Sequence, residues 1–281
     1  MTDTDALAAL IRADAETRGQ TVSRLGYFCA PFRPPSGPFA GSVIKVYRGL
    51  PDDAALDRLA RAHDAYAQAL RDAGVPLPDT AFHLLSLDGR RVPVIVQHAL
   101  PTGSLMRPRM QSAAPDETLA MMQAAGMVIA RFWHWAETRP ERIGFHPSIR
   151  NFAILDGQAV FFDTFPPLID YSRDEMGRLL LQFSDSRLMR MVGPLMQRRV
   201  TAIQDEWYAP AETLTGLVGS ACRLRPELAD RYLDWGRAFA RDAMAPWADA
   251  ALADLRQPPR LPAIWTGFRR LMGLQGEPNL R

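Results

Sequence analysis

The chain has 281 residues, 47% of them hydrophobic, a formal net charge of +2 and a pI near 8.7. That much apolar material supports a full globular core and excludes disorder over most of the length. The balanced charge argues against a nucleic-acid partner but leaves room for an anionic small molecule. Cys29 and Cys222 are the only cysteines and lack metal-type spacing, which fits reduced thiols in a reducing compartment.

Met1 to Arg18 has no basic start followed by an apolar run, and no uncharged apolar stretch reaches the roughly 18 residues needed to cross a bilayer. A cytoplasmic protein without a membrane span is expected. Leu7, Leu10 and Ile11 share one helical face, predicting a lead-in helix over Thr4–Arg18. Strand-like pieces follow at Thr21–Leu25, Tyr27–Cys29 and Ser42–Tyr47, interrupted by a Pro/Gly-rich stretch from Pro31 to Gly41. Leu50-Pro51-Asp52-Asp53 signals a helix start. Leu56, Leu59, Ala60, Tyr66 and Leu70 carry that helix to Ala73, where Gly74 stops it. Phe82–Leu87 and Val92–His98 flank Asp88-Gly89, a hairpin turn signal.

After Leu100-Pro101-Thr102-Gly103 the pattern becomes helical, over Ala114–Arg139 and Arg173–Arg256, with two short strands around Asp156-Gly157 between them. The expected fold is α+β. A lead-in helix (1–20) precedes an N-terminal antiparallel-sheet lobe with one helix (21–100). A larger, mainly helical lobe (101–272) follows, containing a loop and hairpin at 143–167, and then a loose tail (273–281).

Two motifs carry chemistry. Val43-Ile44-Lys45-Val46 embeds a charge in an apolar strand, and Lys45 is the only lysine: of 33 basic residues, 32 are arginine. An ammonium is a compact point charge suited to phosphate oxygens, although an edge-strand lysine facing water reads the same way. The second motif runs from Gly144-Phe145-His146-Pro147 through Asn151 and a short hairpin to Phe161-Phe162-Asp163. An aspartate that closes an apolar strand is costly to desolvate unless a cation or donors compensate it.

The order of elements and these motifs resemble the protein-kinase-like fold, nearest to the aminoglycoside and choline phosphotransferase type, from about Thr21 to the late helices. The resemblance implies ATP bound between two lobes, with Lys45 on its phosphates and Asn151 and Asp163 holding Mg²⁺. It implies that Gln97, His98 and Ala99 form the adenine-binding hinge. It also implies a helix carboxylate beside the lysine, for which Asp57 and Asp64 are available and Asp64 is preferred. The phosphate-covering loop would be Leu25–Ala30, or else Ser36–Gly41. The acceptor would be a small polar molecule, and Arg150 would meet a phosphate or an acidic substrate.

His146 stands where the family has its catalytic aspartate, five residues before the asparagine. With Asp163 it forms the expected catalytic pair, as a substitute base or substrate ligand. The alternatives are a nucleotide-binding pseudokinase with a regulatory role, and a nucleotidyl (AMP) transferase holding the nucleotide reversed. Thr164-Phe165-Pro166-Pro167 argues against a mobile segment after Asp163.

The five histidines lack zinc spacing, and His-Glu-x-x-His, Gly-x-Ser-x-Gly and Walker-type motifs are absent. Met121-Met122 and Met189–Met196 read as core filling. Trp265, Phe268, Leu271 and Met272, with Arg269 and Arg270, read as a short amphipathic helix packed on the second lobe.

Overall fold

The computed structural model describes residues 3–21, 29–50, 52–183 and 204–259. Residues 22–28, the Met189–Met196 run, the amphipathic stretch near Trp265 and the tail lie outside the described residues.

The N-terminal lobe is a five-stranded antiparallel sheet of order β1-β2-β3-β5-β4. Its strands are β1 (Gln20–Thr21), β2 (Phe32–Arg33), β3 (Ser42–Val46), β4 (Thr80–Leu87) and β5 (Arg90–His98). Side chains alternate between the faces of a strand, and the two faces here have different partners. Ile44, Leu85 and Val94 face outward and pack under α1 (Asp3–Arg12) through Leu7 and Ile11. Tyr47 and Ile95 face inward and join the main core.

Helix α3 (Asp53–Asp72) lies between β3 and β4 in the chain. Asp52 Oδ1 accepts from the Ala54 N–H at 3.0 Å, capping its first turn. It ends where Gly74 takes φ +70° and the Val75 N–H reaches back to Leu70 O at 2.9 Å. Its buried stripe is Leu56, Leu59, His63, Tyr66 and Leu70, spaced three and four residues apart.

The C-terminal lobe is mainly helical. It contains α4 (Met106–Ser112), α5 (Pro115–Ala136), α6 (Arg173–Phe183), α7 (Pro210–Leu224), α8 (Ala229–Ala243) and α9 (Ala248–Asp254). A two-stranded ribbon, β6 (Phe152–Leu155) with β7 (Gln158–Phe161), packs against α5. One apolar cluster runs from Tyr47 and Leu59 through Phe145 and Phe161 to Leu214 and Tyr232, so the lobes share a core. This is the α+β architecture expected from the sequence, an antiparallel sheet with one helix followed by a larger, mainly helical part.

Both hairpins turn on an Asp-Gly pair at positive φ, +51° and +75° at Asp88-Gly89 and +48° and +78° at Asp156-Gly157, which suits the right-handed twist of the strands. Three details differ from expectation. The lead-in helix breaks at extended Asp14, and a separate turn, α2 (Ala15–Arg18), restarts there. The Pro/Gly-rich stretch contains β2, because Phe32 pairs with Ile44 and is buried under α1. Helix α4 forms despite Pro108, which sits in its first turn where an amide donor is dispensable. Among the described residues, no helix is long and apolar enough to cross a membrane.

Candidate active site

Strand alternation turns Lys45 to the inner face of the sheet, opposite to its neighbour Ile44. Its residue is only 7% exposed, and Nζ donates to the carbonyl of Phe162 at 2.9 Å. Among the described residues, no other acceptor and no carboxylate pairs with this ammonium. The two candidate helix carboxylates point elsewhere. Asp64 is 78% exposed, with His63 Nδ1 4.0 Å away, and Asp57 is bound by Arg91 at 2.6 Å. The residue that α3 turns inward is His63, which follows the 56-59-63-66-70 stripe and was not anticipated from the sequence. A search for a charged partner passes over it, whereas the helical spacing marks it.

His63 is buried, and its Nε2 lies 3.0 Å from Thr164 Oγ1. Burial first, and then the nearby positive charges of Lys45 and Arg71, lower its pKa to about 3, so the ring is neutral at neutral pH. Thr164 is itself fully buried and directly follows Asp163. Phe165 stacks on Tyr47 at 3.9 Å and meets Phe183 edge-on at 5.0 Å. The stretch after Asp163 is therefore packed in place.

The loop before the ribbon brings Asn151 to Asp163. The Asn151 N–H donates to Ser148 O at 2.9 Å, and Asn151 O accepts from the Phe162 N–H at 3.0 Å. Its side-chain Nδ2 donates to His146 O at 2.9 Å, which fixes the amide and leaves Oδ1 as an unclaimed acceptor. The carboxylate of Asp163, next after Phe162, has no protein hydrogen-bond partner among the described residues. An amide oxygen and a carboxylate, neither with a protein partner among the described residues, are oxygen donors of the kind that suits a hard divalent cation such as Mg²⁺. Among the described residues, no cluster of three His, Cys, Asp or Glu side chains forms a zinc-type site.

His146 is half-buried, with its ring 4.5 Å from that of Trp207. Burial lowers its pKa, and the negative charge of Asp163 partly opposes that shift. Neither ring nitrogen has a hydrogen-bond partner among the described residues. The backbone around it is tightly held: Gly144 N donates to Leu168 O at 2.8 Å and Phe145 N to Trp207 O at 2.6 Å. Gly144 has no room for a side chain, since a Cβ would lie 2.8 Å from the Tyr208 ring and 2.9 Å from Trp207 O. Trp207 is brought to the loop from a remote part of the chain, with no local sequence signal. Arg150 is half-buried, and its backbone N–H is held by Ser148 Oγ at 3.1 Å.

The expected hinge residues end β5. Gln97 is buried and donates to Thr80 Oγ1 at 2.9 Å. The N–H of His98 donates to Asp79 O at 2.7 Å and that of Ala99 to Gly41 O at 2.8 Å. These two residues retain carbonyl acceptors but no free amide donor, so any donor to a base must come from further along the connection. Of the two candidate phosphate loops, Leu25–Phe28 lies outside the described residues. Ser36–Gly41 forms a turn, closed by Ala40 N to Gly37 O at 3.2 Å and Ser42 N to Phe39 O at 2.9 Å.

Fold and site together define an α+β protein in which a buried lysine from the sheet, the Asn151 loop and Asp163 are gathered around Phe162. Residues 6–276 match the model of a family described as "Family of unknown function (DUF6206)", and the chain belongs to that family. No curated protein matches it in sequence. Among solved structures it is similar to one described as "WaaP in complex with acyl carrier protein", at 14% identity and a TM-score of 0.41. That alignment covers 91% of this chain and 93% of the other.

Proposed function

We propose that the chain is a phosphotransferase that binds ATP with Mg²⁺ between its lobes and passes a phosphoryl group to a small polar acceptor. The observation that carries this reading is the convergence of three groups on one short backbone stretch. Lys45 donates to Phe162 O, Asn151 accepts from Phe162 N, and Asp163 comes next. In each, the functional atoms that remain have no protein partner among the described residues and are those a metal–triphosphate complex requires.

In this reading Lys45 contacts phosphate oxygens with its remaining N–H groups. Asn151 Oδ1 and the Asp163 carboxylate hold Mg²⁺, which when bound neutralises charge on the transferring phosphoryl group. His146 receives the acceptor hydroxyl and takes its proton as that oxygen attacks the γ-phosphorus and ADP leaves. An aspartate at this place would orient the hydroxyl and accept its proton through charge, and a neutral imidazole does so through one nitrogen. Phosphoryl transfer depends mostly on positioning and electrostatics, so the exchange is compatible with turnover.

The test is thermal stability with and without ATP and Mg²⁺. At about 100 times the Kd, a ligand stabilises by roughly 2.7 kcal/mol. The expected result is stabilisation that needs both ATP and metal, is lost in Asp163→Ala and is weakened in Lys45→Met. Absence of any shift for the unmodified chain sinks the reading. Product masses then decide the chemistry: a phosphorylated acceptor supports this proposal, and an adenylylated one supports AMP transfer. Binding without turnover, unchanged in His146→Ala and His146→Asp, makes the protein a nucleotide-binding pseudokinase.

A further inference from the structure

Among the described residues, hydrogen bonds tie helix α3 to the C-terminal lobe through Arg58, His63 and Tyr66, and none of these involves Lys45. Near its start, Arg58 donates to Glu175 Oε1 at 2.8 Å and to the carbonyl of Asp170. In its middle, His63 meets Thr164 Oγ1 at 3.0 Å. Further on, Tyr66 Oη donates to Gly144 O at 3.1 Å. Only the middle contact reaches the stretch that carries Asp163.

We infer that His63 is a positioning residue for Asp163, acting through the Thr164 hydroxyl. Three observations support it. His63 occupies a core position on the helix stripe, packed against the Phe82 ring at 4.9 Å, so its direction is fixed by packing. Its Nδ1 is buried without a hydrogen-bond partner, so among the described residues the contact to Thr164 is the ring's one hydrogen bond and its loss is not made good nearby. Thr164 is fully buried and bonded to Asp163 through one peptide, so holding its side chain limits where the neighbouring carboxylate can point. The consequence for Lys45 is a division of labour. Its charge is not matched by a carboxylate on the helix, and it remains available to an anion in the cleft.

The placement of α3 and Asp163 concerns the free chain, while the effect on metal affinity rests on the function proposed above. The test therefore has two readouts. Amide hydrogen exchange of the unliganded protein is followed over residues 59–67 and 161–165, and the Mn²⁺ dependence of ATP binding is measured on the same variants. Thr164→Val, which keeps the shape and loses the hydroxyl, is expected to speed exchange in both segments and to weaken the metal requirement by about tenfold, the size expected for an orphaned buried polar group. Thr164→Ser, which restores the hydroxyl, returns both readouts to within about twofold, and His63→Gln, which keeps a donor at similar reach, does so in part. Lys45→Met leaves exchange in α3 unchanged while reducing ATP affinity.

Unchanged exchange in Thr164→Val overturns the inference, and so does α3 exchange in Lys45→Met that rises as much as in Thr164→Val. If Thr164→Val speeds exchange throughout the chain, the hydroxyl is merely structural and the inference again fails. If the unmodified protein binds no ATP, the functional reading fails, and the exchange arm still decides the positioning of the Asp163 stretch.

Discussion

Helix α3 is joined to the C-terminal lobe by an inner joint and an outer one of opposite character. The inner joint, His63 to Thr164 and Tyr66 to Gly144 O, is buried and made of neutral groups. The outer joint, Arg58 to Glu175 and Asp170, is ionic and half-exposed, with Arg58 also lying 4.4 Å above the Tyr171 ring. A charge at the inner joint would have to be desolvated, so a neutral imidazole is the better fit beside a buried lysine. At the outer joint water keeps the ions solvated, and the same distance between charges is worth far less. The joint beside the candidate site is thus the one insensitive to salt, and the joint that responds to solvent lies away from it.

The sharpest way to break the inner joint is to enlarge Gly144, whose carbonyl accepts from Tyr66. A methyl group there would sit 2.8 Å from Tyr208 and 2.9 Å from Trp207 O, and a backbone oxygen cannot move aside cheaply. Gly144→Ala is expected to destabilise the chain by about 3 kcal/mol and to shift the His146 loop, as measured by chemical denaturation. A loss below about 0.5 kcal/mol would show that the 207–208 segment is not held against the loop as described. Tyr66→Phe is a gentler test of the same joint. It removes one buried hydrogen bond and leaves the packing, with an expected loss of about 1 to 1.5 kcal/mol.

These joints also show how far the sequence could be read. The inward lysine, the capped start of α3 and both Asp-Gly hairpins follow from local pattern: strand alternation around Lys45, a side-chain cap at Asp52 and positive φ at Asp88 and Asp156. The meeting of the Asn151 and Asp163 backbone was legible because a short hairpin separates them, and the ribbon pairing of Phe152 with Phe161 brings its two ends together. The residue that α3 turns inward lies one position before the carboxylate preferred from the sequence. Expecting a charge selected Asp64, while the spacing Leu56, Leu59, Tyr66 and Leu70 already put position 63 on the buried stripe. The end of β5 at Gln97, His98 and Ala99 was legible as a strand end, but which of its amides are already bonded depends on Asp79 and Gly41, contacts that span the sheet. The packing of Trp207 on His146 was not legible at all, since only the tertiary fold brings so distant a residue to the loop.

The outer joint gives the smallest effect and the clearest sign. The Arg58 guanidinium, followed by the Ser172 backbone N–H and hydroxyl, holds the Glu175 carboxyl at about 2, below its ordinary value of 4.5. A carboxyl whose pKa falls on folding binds fewer protons in the native state. Its contribution to stability is therefore complete above pH 4.5 and is lost as pH falls toward 2. Glu175 is about one-third exposed, so solvent screening limits that contribution to about 1 kcal/mol or less. Glu175→Gln should leave stability nearly unchanged below pH 2 relative to the unmodified chain, and lower it by that amount at pH 7. Added salt should shrink the difference at pH 7 while leaving the effect of Tyr66→Phe as it was. Equal salt sensitivity in the two variants would mean that the joints do not differ in kind, because only an exposed ionic contact is screened by salt.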